Sequence, residues 1–246
     1  MKTRKSFGLL LAVVLVTLSP SVKAQDGVEA SIGADVVSQY IWRGQNLGNA
    51  AIQPTVGLSY KGLSLSAWGS TGITEASDTK EFDLTLSYAT EGFHVGVTDY
   101  WFDKATNYKS GYIEDAKYFK YGAHGTTHTY EANVGYDFGI LSVDWYTNFA
   151  GNDGVDKDGD RAYSSYFEIS APFKLATCDW KATVGAVPYR TDFYSKANGF
   201  AVTNVTLKAT KGIKITDSFS LPLFASITAN PSSQKAYFVV GLTLQP

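Results

Sequence analysis

The stretch Ala51-Ile52-Gln53-Pro54-Thr55-Val56-Gly57-Leu58-Ser59-Tyr60 decides the fold. Ile52, Pro54, Val56, Leu58 and Tyr60 take alternate positions, and Gln53, Thr55, Gly57 and Ser59 stand between them. Successive side chains of a β-strand point to opposite faces, so this segment makes a strand with one apolar face and one face of small polar groups. The sorting recurs downstream. Phe82, Leu84, Leu86 and Tyr88 oppose Glu81, Asp83, Thr85 and Ser87, and Ala132, Val134, Tyr136 and Phe138 oppose Glu131, Asn133, Gly135 and Asp137.

Outward from these segments the alternation predicts strands near 28–42, 51–60, 63–73, 80–90, 93–102, 127–138, 140–149, 162–173, 179–188, 199–211, 213–228 and 235–244. They number twelve. Lys61-Gly62, Thr90-Glu91-Gly92, Gly139, the 175–178 segment and Gly212 read as short turns. Alternating with them are mostly longer connections at 44–50, 75–79, 103–126, 150–161, 189–198 and 229–234. Short turns at one end and long loops at the other are the arrangement of an outer-membrane barrel. A soluble sandwich also alternates, but its outward face is the charged one, whereas here the minority face is rich in Ser, Thr, Gly, Asn and Asp. Aromatic residues collect at the ends of the apolar stripes: Tyr60, Tyr88, Phe93, Tyr136, Phe138, Phe173, Trp180 and Phe219 near the short turns, and Tyr40, Trp42, Trp101, Phe149 and Tyr163 near the loops. Two such belts suit the two headgroup zones of a bilayer. The expected fold is all-β: a single antiparallel up-and-down transmembrane barrel of about twelve strands.

Composition agrees with that reading. The 246 residues are 44% hydrophobic and 14% aromatic, which excludes a disordered chain, and 18% charged, below the usual share of about 25%. A formal charge of −2 supplies no basic stripe for phosphates, so nucleic acid is excluded as a partner. Residues 1–24 read as a cleaved signal peptide: Lys2, Arg4 and Lys5 open it, Phe7 to Leu18 is almost wholly apolar, and small residues lead to Ala24. The remaining 25–246 form one barrel domain, with termini and short turns on the periplasmic side and the long loops outside. Cys178 is the single cysteine, so no internal disulfide can form.

Several stretches carry a family likeness. The segment Gly33-Ala34-Asp35-Val36-Val37-Ser38-Gln39-Tyr40-Ile41-Trp42-Arg43-Gly44 resembles the opening strand of the TorF-like porin family, in which an aromatic-Arg-Gly end leads into the first loop. Val97-Thr98-Asp99-Tyr100-Trp101-Phe102, Thr127-His128-Thr129-Tyr130-Glu131-Ala132 and Arg161-Ala162-Tyr163-Ser164-Ser165-Tyr166-Phe167-Glu168 look like that family too. The resemblance implies an outer-membrane channel and names no solute. Small hydrophilic solutes or ions and outer-membrane lipid are then the expected partners, with no cofactor and no metal. An adhesive or structural barrel, or an outer-membrane enzyme with a narrow or plugged lumen, is the alternative.

Strand parity assigns the lumen. Glu29, Asp35, Glu81, Asp83, Glu131, Asp137, Asp144 and Glu168 point inward as acids, against Arg43, Lys181 and Lys208 as bases. The acidic excess predicts a weak cation preference. Of the three histidines, His94 points inward, with Asp83 and Ser87 as the neighbours for a conceivable catalytic triad; His124 falls in a loop and His128 on the lipid-facing parity. The acidic loop from Asn152 to Asp160 is carboxylate-rich but lacks the order of a calcium-binding EF-hand. The loop 103–126 carries Tyr108, Tyr112, Tyr118, Phe119 and Tyr121; the stretch 112–121 could form a short helix, and packing of the loop is expected, either into the barrel as a constriction or as a cap on the loop cluster.

Overall fold

The computed structural model describes residues 27–122, 125–217 and 219–245. The signal-peptide segment 1–24 and His124 lie outside the described residues. Among the described residues sixteen strands run in chain order: β1 (Glu29–Val37), β2 (Tyr40–Trp42), β3 (Gln45–Gly48), β4 (Ala51–Tyr60), β5 (Leu63–Gly72), β6 (Glu81–Thr90), β7 (Phe93–Phe102), β8 (Ala105–Asn107), β9 (Gly111–Ile113), β10 (Thr129–Asp137), β11 (Ser142–Gly151), β12 (Ser165–Leu175), β13 (Cys178–Val187), β14 (Ala201–Lys214), β15 (Ser220–Asn230) and β16 (Lys235–Leu244). Twelve of them, β1, β4 to β7 and β10 to β16, form a closed antiparallel barrel in which sequence neighbours are sheet neighbours. The circle closes where Ala34 to Val37 pair with Leu244 to Gly241.

The faces fall as the alternation requires. Ile52, Val56, Leu58, Leu84, Leu86, Val134 and Ile227 stand exposed on the outer wall, while Gln53, Ser70, Glu81, Thr98, Glu131 and Asp144 are buried within. Cross-strand hydroxyl pairs knit the inner face, among them Thr85 with Thr98 at 3.0 Å and Thr206 with Thr228 at 2.7 Å. The Lys61-Gly62 turn has positive φ at both residues, 48° and 86°, a backbone twist that matches that of the flanking strands. Tyr60, Tyr88, Phe93, Tyr136, Phe138 and Phe173 ring the outer wall at this end.

Three sequence expectations need correction. The predicted first strand, 28–42, stops at Val37. There Ser38 N donates to Val240 O at 2.9 Å, Val240 N donates to Ser38 Oγ at 3.0 Å, and the chain enters the lumen as the β2–β3 hairpin. Alternation persists through the bend, so the pattern carries no mark of it. Tyr40 and Trp42 therefore leave the aromatic belt and turn inward.

Gly212 is no turn: it lies within β14 opposite Pro222, outside the positive-φ region. The chain reverses at 215–219, where Ile215 N donates to Phe219 O at 3.0 Å and Lys214 pairs with Asp217 at 2.6 Å.

The helix that 112–121 could form is absent. Asn107 Oδ1 accepts from the backbone N of Lys109 and Ser110, which fixes the turn of the β8–β9 hairpin, and the chain beyond it lies irregularly.

An apolar wall beside a hydroxyl-rich lumen makes the two faces respond differently to charge. Leu84→Arg is expected to cost about 2–4 kcal/mol of folding stability in lipid vesicles, and the inward Thr85→Arg far less. Equal costs on the two faces would reverse the assignment.

Candidate functional site

The lumen is occupied by its own chain. At the tip of the β2–β3 hairpin, Arg43 and Gly44 take positive φ, 48° and 79°. The tip presses against β14 so closely that a Cβ on Gly44 would sit 1.8 Å from Thr203 O, which leaves no room for a larger residue. Asn230 Nδ2 donates to Gly44 O at 2.9 Å and ties the tip to β15.

That anchoring aims Arg43 across the barrel. Its Nη1 donates to Glu131 Oε2 at 2.5 Å and its Nη2 to Oε1 at 3.2 Å, a bidentate pair in which both side chains are buried. Tyr100 also donates to Glu131, at 2.9 Å, as does Tyr194. Rings surround the guanidinium: its Cζ lies 3.8 Å from the centroid of Tyr146, 4.4 Å from Trp42, 4.8 Å from Tyr166 and 5.1 Å from Tyr194. Trp42 in turn meets Tyr100 and Phe193 edge-on. A charge removed from water is tolerable only when it is compensated, and here the carboxylate pair and the surrounding ring faces supply that compensation. Phe193 and Tyr194 come from the 188–200 connection. No sequence signal marked them, because a loop that folds inward has no periodicity to expose its parity.

Glu81 and Asp83 face the same hairpin, whose Tyr40 approaches Glu81. Arg43 is committed to Glu131, and no ion pair reaches either acid among the described residues. Asp83 Oδ1 is buried without a hydrogen-bond partner among them.

The other predicted lumen residues fall into three groups. His94 Nε2 lies 2.5 Å from Asp144 Oδ1, so the inward placement holds but the expected neighbours do not. Among the described residues no serine hydroxyl bonds to His94, and the conceived Ser-His-Asp triad with Asp83 and Ser87 is not assembled. Asp35, Glu168, Lys181 and Lys208 line a cavity of about 370 Å³ beneath the hairpin. Glu29 and Asp137 stand exposed toward the short turns, where Asp137 Oδ1 accepts from Gly139 N at 2.7 Å.

The described part of the loop 103–126 is held in two places: its β8–β9 hairpin meets the 150–161 loop, where Asn152 Nδ2 donates to Thr106 O at 3.0 Å and Asn152 Oδ1 accepts from Tyr108 N at 3.3 Å, and its later aromatic segment lies on the barrel wall. Tyr118 packs on Phe82 and Trp101, both outward-facing, with ring centroids 5.6 Å away in each case, so the loop straps the outer wall. His128 has the outward parity expected of it but is fully buried beneath the strap, against Tyr118 and Tyr121. Its Nε2 lies 2.6 Å from Tyr118 O and its Nδ1 2.7 Å from Asp99 Oδ1. A carbonyl and a carboxylate both accept, so the two bonds are made together by the protonated ring. Burial opposes the charged ring, but the hydrogen bonds to Asp99 and Tyr118 and the Asp99 charge outweigh it and raise the His128 pKa.

The acidic loop gathers no metal-ligating cluster among the described residues. Asp153 is buried and accepts from Asn148 Nδ2 at 2.8 Å and Ser164 N at 3.1 Å, while Asp156 Oδ1 accepts from the backbone of Asp158 and Asp160. Asp153 is thus engaged by the strand ends that flank the loop, and Asp156 by the loop itself.

No protein-family model matches the chain, and no curated protein sequence does. Among solved structures it is similar to a KdgM porin, at 10% sequence identity over 87% of this chain and 98% of that one, with a TM-score of 0.42. It is similar also to Salmonella typhi OmpF in complex with daunomycin, at 10% identity, 92% and 100% coverage and a TM-score of 0.38. A third is the Salmonella typhi outer membrane phospholipase dimer with bound calcium, at 11% identity, 88% and 90% coverage and a TM-score of 0.40.

Two outcomes test this geometry. Arg43→Ala leaves Glu131 buried without its counter-charge and is expected to cost about 3–5 kcal/mol in a lipid-vesicle unfolding titration, with Arg43→Met plus Glu131→Gln costing less than Arg43→Ala alone. A single-variant cost within about 0.5 kcal/mol of zero would remove the pair as a structural crosspiece.

The strap should depend on pH. A raised folded-state pKa means that His128 stabilises the docked strap fully below its ordinary value of 6.5 and loses that contribution as pH rises through the raised value. Backbone hydrogen exchange over Tyr118 to Gly122, corrected for intrinsic rate, should be slow at the acidic end and accelerate through that window. His128→Gln should abolish the transition; its persistence would exclude His128 as the titrating group.

Proposed function

We propose that the chain is an outer-membrane porin-like channel for passive diffusion of small hydrophilic solutes, with a weak preference for cations. The observation that carries this reading is the closed twelve-stranded barrel itself, apolar outside and lined within by hydroxyl, amide and charged groups. Eight strands enclose a filled interior and 16 to 18 an aqueous channel, so twelve with an inserted hairpin make a narrow, constricted path. Export through a signal peptide at 1–24 and the likeness of the opening strand to the TorF-like porins fit the same proposal.

The cation preference rests on which charges are cancelled. Arg43 and Glu131 neutralise one another, and His94 engages Asp144. Glu81 and Asp83 stand beside the inserted hairpin without an ion-pair partner among the described residues, and the preference rests on the fraction of this acidic face that is ionised. Fixed carboxylates between low-dielectric walls concentrate cations.

The inserted hairpin also favours a second reading. A lumen closed at that level, with Phe119 and Tyr112 exposed on the outer strap, suits a barrel that binds a surface partner through its loops. Planar-bilayer recording separates the two. A channel should give small unitary currents, a reversal potential of cation sign across a KCl gradient that shrinks as salt rises, and larger currents for Arg43→Ala if that variant folds. Glu81→Gln with Asp83→Asn should weaken the cation preference. Absence of current in the wild type would favour the adhesive reading, and anion preference would remove the charge assignment.

A further inference from the structure

The cavity beneath the hairpin contains an arrangement that the folded chain leaves electrostatically unresolved. Lys181 on β13 and Lys208 on β14 are direct cross-strand partners, and both point into the lumen. Like charges directly opposite on a sheet repel and destabilise the pairing. Among the described residues neither ammonium has a carboxylate within ion-pair distance, although Lys174 and Lys214, nearer the turns, each have one. Lys208 Nζ instead sits 3.9 Å from the Phe224 ring centroid, held over its face.

The surroundings complete a site. Thr183, Asn204, Thr206 and Ser226 bring hydroxyl and amide groups to the same cavity, whose roof is formed by Arg43 and Gly44 of the hairpin. Asp35 and Glu168 also line it, but each has one oxygen engaged: Thr243 donates to Asp35 at 2.6 Å and Tyr166 donates to Glu168 at 2.9 Å. Their remaining oxygens can only accept hydrogen bonds. The cavity thus asks for an anionic group at the lysine pair and hydrogen-bond donors toward the two carboxylates. Its volume, about 370 Å³, lies within the range of about 300–1,000 Å³ common to small-molecule sites.

We propose that this cavity is a binding site for small hydroxycarboxylates, with the solute carboxylate bridging Lys181 and Lys208 and its hydroxyls donating toward Asp35 and Glu168. The bridging carboxylate cancels the repulsion that the ladder imposes, and neutral polyols gain no such term. The inference deepens the channel reading, on which it rests for its meaning in transport, by placing an anion-accepting station beyond the acidic constriction. Binding itself does not require conduction.

The test uses the full-length mature barrel, purified in detergent, and isothermal titration at constant ionic strength with gluconate, its neutral counterpart sorbitol, and butyrate, which has the carboxylate without hydroxyls. Gluconate should bind, sorbitol should not at the same concentration, and butyrate should bind more weakly than gluconate. Lys181→Met with Lys208→Met should weaken gluconate binding by at least about tenfold, as expected for the loss of charge-assisted hydrogen bonds. Because the double variant relieves a like-charge contact, its unfolding midpoint should not fall below that of the wild type; Lys181→Gln alone serves as a second, milder variant, expected to weaken binding in part. Equal binding of gluconate and sorbitol, unchanged gluconate affinity in the folded double variant, or butyrate binding as tightly as gluconate would overturn the proposal. Gluconate binding without current in bilayers would sink the channel reading and leave this site standing.

Discussion

A backbone amide in apolar surroundings must find a hydrogen-bond partner within the protein, and a sheet meets that demand on every strand only by closing on itself. Here the requirement falls on the seam between β1 and β16, which is short: Ala34 to Val37 on one side and Gly241 to Leu244 on the other. On its opposite edge β1 pairs along all of Glu29 to Val37 with β4. Ser38 closes the seam with two hydrogen bonds to Val240, and from that point the chain is free to leave the wall. The inserted hairpin is thus a consequence of where the closing ladder stops.

What the hairpin carries inward reshapes the electrostatics of the lumen. A count of inward charges treats the interior as one acidic compartment. The folded chain divides it instead into a caged Arg43–Glu131 pair, a buried acidic face at Glu81 and Asp83 without an ion-pair partner among the described residues, His94 hydrogen-bonded to Asp144 toward the short turns, and a chamber in which two facing lysines stand with Asp35 and Glu168. Pairing in a low-dielectric interior removes a charge from the field more completely than distance does. Selectivity in such a barrel therefore depends on which charges remain unpaired, more than on their sum.

The outer wall resolves its own polar groups by covering them. Asp99 takes an outward position on β7, and His128 stands beside it just before β10, where each would be costly alone against an apolar wall. The 103–126 loop covers the pair with Tyr118 and Tyr121, so its aromatic segment serves the wall.

The barrel, its strand number and its two faces were legible in the amino-acid sequence, because a side chain's face in a strand follows from parity alone and turns have their own chemistry. Parity also placed Asp35, Glu81, Asp83, Glu131, Asp144, Glu168, Lys181 and Lys208 inward, as the folded chain has them. Arg43 was inward by the same rule but for a different reason, since it stands on a hairpin that keeps a strand's alternation while lying inside the barrel. Which lumen charges pair, which loop residues enter the cage, and where the long loop docks depended on contacts between residues as distant in sequence as Arg43 and Glu131. Local periodicity records the side to which each residue points; only closure of the barrel brings those sides together and decides what each one meets.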